Sequence, residues 1–94
     1  MGTHDGNTLS EVIAELSFET PVARAELESV EHSCAACFLV HRVALVRVFL
    51  THSCTRAVLV FRAPDAESVR LACRPAGLRF ERVRARRHRA SLAI

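Results

Sequence analysis

From Ser10 the chain alternates: Val12, Ala14, Leu16 and Phe18 fall on one side, Glu11, Ile13, Glu15 and Ser17 on the other. A two-residue period predicts a strand over 10–18. At Glu19-Thr20-Pro21 the period changes. Thr20 is a capping residue type, and Pro21 suits a first helical position, where no amide bond is lost. Ala23, Leu27, Val30, Cys34, Cys37, Phe38 and His41 then recur with a period near 3.6, which predicts a helix to about Leu39. Val43 to Thr51 is almost continuously apolar and rich in β-branched residues, with Arg47 inside it, and reads as a strand. His52 to Thr55 makes a turn without an Asn-Gly or Asp-Gly pair, and Arg56 to Arg62 returns as the second arm of a hairpin. Ala63-Pro64 breaks that strand. Asp65 is placed to cap a second helix, with Glu67 in its first turn and Ala66, Val69, Cys73 and Ala76 on one stripe; Pro75 and Gly77 end it. Leu78 to Arg84 reads as a short last strand.

The order β-α-β-β-α-β predicts an α+β fold, the ferredoxin-like split βαβ arrangement: a four-stranded antiparallel sheet with two helices on one face. The domain spans 10–84, between a flexible leader at 1–9 and a basic, disordered tail at 85–94. The middle strands are apolar on both sides. Val43, Leu45 and Phe49 alternate with Ala44, Val46, Val48 and Leu50, and Ala57, Leu59 and Phe61 alternate with Val58 and Val60. A sheet face left open should be polar, so this one predicts a homodimer packed sheet against sheet.

Composition narrows the class. Ninety-four residues make one domain. With 50% hydrophobic and 24% charged residues, disorder of the whole chain is excluded. No apolar run approaches the ~18 residues of a membrane helix, and Met1 to Ser10 lacks the features of a secretory signal. The expected setting is therefore a reducing cytoplasm, with Cys34, Cys37, Cys54 and Cys73 as free thiols. Charge is segregated: residues 1–31 sum to −6 and residues 32–94 to +9, giving +3. The chain has thirteen arginines and no lysine. The arginine-rich stretch at 82–89 has no aromatic residue to stack on a base, so it reads as a solvated tail rather than a nucleic-acid interface.

Two constellations could carry chemistry. On a helix, Cys34, Cys37 and His41 share a face. Two thiolates and an imidazole suit a transition metal such as nickel or zinc; the same line is also the helix's packing stripe, and Cys-x-x-Cys is also a redox spacing. The second constellation is Glu11 and Glu15 on the polar side of the first strand, with Arg47 as their expected partner in a dimer seam. It reads as an interface ion pair, a ligand site or an acid/base pair. Cys73 is expected in the core, Cys54 as the exposed and most reactive thiol, and His52 as a solvated turn residue. No phosphate loop, Gly-x-Ser-x-Gly or paired-histidine motif is present.

The stretches FLVHRVALVRVFL at 38–50, APDAESVR at 63–70 and AGLRFERV at 76–83 resemble a family of short ferredoxin-like proteins of unknown function described as nickel-binding. The resemblance covers Val12 to Val83 and implies a cytoplasmic homodimer that binds a metal ion. The chain departs from the pattern in two places. Its first strand carries Glu11 and Glu15 where nickel-binding relatives have histidines, and its hairpin turn has Ser53-Cys54 where Asp-Gly is usual. The leading expectation is a homodimeric metal-binding protein. The alternatives are an enzyme acting on a small organic molecule through Glu15, Arg47 or His52, and a dimerisation module.

Overall fold

Strict alternation over Ser10–Ser17 becomes strand β1, and it pairs on both edges. In the computed structural model, which describes residues 9–86, the chain continues through three short helices, α1 (Arg24–Glu28), α2 (Val30–Ser33) and α3 (Ala35–His41). The hairpin β2 (Ala44–Leu50) and β3 (Arg56–Ala63) follows, then α4 (Ala66–Cys73), a 3-10 turn at Arg74–Ala76, and β4 (Arg82–Arg86). The sheet has the order β2-β3-β1-β4 with every neighbour antiparallel. Among the described residues no helix is long and apolar enough to cross a membrane. The expected leader, apart from Leu9, and the chain from residue 87 onward lie outside the described residues.

Helices cover one side of this sheet. Val12, Ala14, Leu16, Leu59, Phe61 and Val48 point toward Leu27, Val30, Cys34, Phe38, Val69 and Cys73, all of them buried. Phe61 is fully buried between two other rings, its centroid 6.2 Å from Phe38 and 6.4 Å from Phe80. No side-chain nitrogen or oxygen among the described residues is buried without a partner. The core is therefore apolar, and its stability rests on burial and ring packing.

Several elements depart from the sequence pattern. The first helix starts at Arg24, not after Thr20, because the link before it is pinned in extended form. Phe18 N–H donates to the Thr55 carbonyl at 2.8 Å and Val22 N–H to the Cys54 carbonyl at 2.9 Å. The cap is Glu26, whose carboxylate accepts from Ala23 N–H at 2.9 Å. The single predicted helix is interrupted at Ser29 and at Cys34 (φ −114°, ψ 31°), and it ends where Arg42 turns left-handed. The last strand is Arg82–Arg86 rather than Leu78–Arg84. Ala85 and Arg86, assigned to the tail, sit in the sheet opposite Val12 and Glu11.

The second helix follows expectation. The Asp65 carboxylate accepts from the Ser68 hydroxyl at 2.7 Å and the Ser68 N–H at 2.8 Å, and these bonds, the hydroxyl first, hold it below its ordinary value of 3.8. Gly77, with φ 72°, closes the 3-10 turn in a conformation open to glycine. Asp65→Ala is expected to lower stability by about 1 kcal/mol. Because the folded carboxyl is the stronger acid, its contribution is present above pH 3.8 and is lost as pH falls through the depressed folded value. Urea melts of both proteins should thus converge in acid; a gap that stays constant with pH would contradict the cap.

Strand β2 forms one edge of the sheet, yet part of its outer backbone is occupied. Leu45 N–H donates to the Glu31 carboxylate at 3.2 Å, and Arg24 Nη1 donates to the Val48 carbonyl at 2.7 Å. Both side chains come from the helical segment alongside.

Candidate functional site

The face away from the helices is set by strand parity. Register places Glu11, Ile13, Glu15 and Ser17 of β1 beside Arg62, Val60, Val58 and Arg56 of β3. On the other side of β1, Glu11, Ile13 and Glu15 lie beside Arg86, Arg84 and Arg82 of β4. On β2 the expected alternation fails. A bulge between Leu45 and Arg47 adds a residue, so Leu45, Val48 and Leu50 turn inward together while Ala44, Arg47 and Phe49 turn outward. Val48 and Leu50 thus part from Ala44, and Phe49 from Leu45, although plain alternation groups them, and Val46 sits in the bulge.

The result is an apolar centre with a basic surround. Ile13, Val58 and Val60 are half-buried, and Phe49 and Val46 are 50% and 47% exposed. Around them stand Arg47, Arg56, Arg62, Arg82, Arg84 and Arg86, against only Glu11 and Glu15 on the same face. Glu11 is paired with Arg86 at 3.8 Å, and Arg56 with Glu81 at 3.8 Å. Arg47 has no carboxylate partner among the described residues; its guanidinium lies 6.0 Å from the centroid of the Phe49 ring.

Two hollows lie on this face. One, of about 320 Å³, is lined by Glu11, Ile13, Arg47, Phe49, Val60 and Arg86 among others. A neighbouring one of about 180 Å³ takes in Glu15, Phe49, Arg56 and Val58. The expected trio is therefore divided: Glu11 and Arg47 border one hollow and Glu15 the other. Arg47 is two strands from β1, roughly 10 Å across the sheet, so Glu11 takes its partner from β4 instead. Arg62 carries no expected role, and Arg82 and Arg84 are expected at the end of the last strand and in a solvated arginine-rich stretch rather than on this face. The period-two string Arg-Val-Arg-Ala-Arg was the available signal for the last two.

The cysteine-histidine line behaves differently. Cys34 is buried in the core, Cys37 is partly buried against it, and His41 is half-buried at the end of α3. The break at Cys34 interrupts the helical geometry that would align all three, and no three His, Cys, Asp or Glu side chains among the described residues are grouped to hold a metal ion. These donors do not fit a metal centre within one subunit. His52 is exposed in the hairpin and borders neither hollow.

All four cysteines are free. Burial, with a smaller contribution from Cys34 nearby, pushes the Cys73 thiol up from 9.0 to about 12. Cys54 is partly exposed in the hairpin with φ 64°. Iodoacetamide at mildly alkaline pH is expected to modify Cys54 and Cys37 in the native protein, and Cys34 and Cys73 only after unfolding, as peptide mass spectrometry would show. Early labelling of Cys73 would contradict its placement. The same shift makes stability decline as pH rises from 9.0 toward 12, because the unfolded chain ionises first.

Fold and site together define a small α+β protein with one helix-covered sheet face and one open face, apolar at its centre and basic around it. The crystal structure of SCO4226 from Streptomyces coelicolor A3(2) is similar, with a TM-score of 0.67 over 79% of this chain and 91% of that one at 12% sequence identity. At that identity the likeness speaks for the fold. No protein-family model matches the chain, and no curated protein matches it in sequence.

Proposed function

We propose that the protein is a ferredoxin-like homodimer, joined open face to open face, that binds a small molecule in the seam between the two sheets. The observation that carries this reading is the apolar centre of Ile13, Val46, Phe49, Val58 and Val60 on a face no helix covers. Burying these partly exposed side chains against a second copy contributes on the order of several kcal/mol per subunit. Hollows already present on each face would meet across the seam and close into a pocket at the subunit boundary, a common place for ligands. Four free thiols suit a reducing cytoplasm. The nickel or zinc expectation has no donor set among the described residues of one subunit to support it. Sedimentation equilibrium in the micromolar range tests the assembly. A mass of twice 10.4 kDa is expected, and a monomer throughout that range would overturn the reading.

A further inference from the structure

The open face raises an electrostatic question. Six guanidiniums stand there against the carboxylates of Glu11 and Glu15 and that of Glu81, which reaches Arg56, so two such faces brought together carry a positive excess. Some of that charge is neutralised internally, through Glu11 with Arg86 and Glu81 with Arg56. Among the described residues Arg47, Arg62, Arg82 and Arg84 have no carboxylate within ion-pair distance, and of these four Arg47 alone lines either hollow. It borders the larger hollow, lies near the Phe49 ring, and faces an apolar floor of Ile13, Val58 and Val60. A guanidinium without a carboxylate, held beside an apolar hollow, is a binding group for an anion attached to a hydrophobic body.

We propose that this hollow takes an organic anion, an aromatic or aliphatic molecule bearing one carboxylate, sulfonate or phosphate group, with Arg47 holding the charge and Ile13, Phe49 and Val60 contacting the body. The site rests on the seam reading only in that a second subunit would close over it; its charge and apolar floor belong to one chain. The ligand's charge also supplies what the stacked faces lack. A neutral ligand of the same shape would leave Arg47 desolvated and unpaired.

Two fluorescent probes of nearly the same shape separate charge from hydrophobicity: anilinonaphthalene sulfonate and the uncharged phenylnaphthylamine. The folded wild-type protein is expected to bind the sulfonate roughly tenfold more tightly, the scale of one charge-assisted contact. Arg47→Gln should erase that preference and leave the neutral probe's affinity unchanged. Arg74→Gln, on the 3-10 turn away from this face, should alter neither. Equal affinities in the wild type, or a preference that survives Arg47→Gln, would overturn the proposal. So would a single-stranded oligonucleotide that displaces the sulfonate with tighter binding of its own, which would make the face a nucleic-acid surface. Sedimentation of the same samples keeps the two readings apart: a monomer that retains the Arg47-dependent preference sinks the dimer and keeps the anion site, whereas a dimer without the preference does the reverse.

Discussion

Phe61→Ala is expected to lower stability by about 3–5 kcal/mol, because it empties the centre of the core. Phe61 is fully buried and is the ring that touches both Phe38, from the helical segment, and Phe80, from the link before β4. Its removal leaves a cavity bounded by two rings that are fixed to separate elements and cannot both collapse inward. For a chain of this length the change is roughly 12 °C or more in Tm, readable by circular dichroism. Phe61→Leu should recover most of it, since it keeps most of the volume. A loss under about 1.5 kcal/mol for the alanine variant would mean that the three rings do not form one packed unit.

Val58→Glu is expected to produce a folded monomer. Val58 lies on the open face beside Phe49 and Glu15, half-buried in a single subunit, so a longer polar side chain can reach water there. In a face-to-face dimer the new carboxylate would be desolvated next to Glu15 in both copies, a cost of several kcal/mol. The dimer dissociation constant should rise at least about a hundredfold, with helical and sheet signals unchanged. Leu39→Glu provides the comparison. Leu39 and Val40, 80% and 73% exposed on α3, are the other prominent apolar pair at the surface. If Leu39→Glu dissociates the protein and Val58→Glu does not, the subunits meet through the helices and the seam reading fails.

What the sequence disclosed depended on how strictly each segment kept its period. β1 alternates, with Ile13 the one apolar residue on its polar side, so Glu11 and Glu15 are legible as sharing a face; Val58 and Val60 are legible as sharing a side of β3, but a strand apolar on both sides does not say which side faces outward. β2 offers no contrast. A run in which nearly every side chain is apolar has no phase, and a bulge within it is invisible, so a plain two-residue period groups Val48 and Leu50 with Ala44 although the sheet separates them. Arg47, the one polar residue in that run, was legible as a candidate. Its separation from Glu15 was not, because that depends on β3 lying between β2 and β1. The breaks at Ser29 and Cys34 fall within an otherwise helical pattern, where no residue type announces them, and they interrupt a cysteine-histidine line that spacing alone would align. The last strand is legible at 78–84, but its far end is not: the alternate arginines that continue it look like a solvated tail until β1 supplies Glu11 and Glu15 on the adjacent strand.

The treatment of β2 bears on how large an assembly this chain can build. An exposed sheet margin is a template for another strand, and chains that add there can add without end. Here Glu31 and Arg24 already satisfy the Leu45 amide and the Val48 carbonyl, so an incoming strand would have to displace both before it could zip on. Lateral addition along β2 is thereby obstructed, and in the proposed dimer, contact between two identical patches would consume both and leave the complex finite.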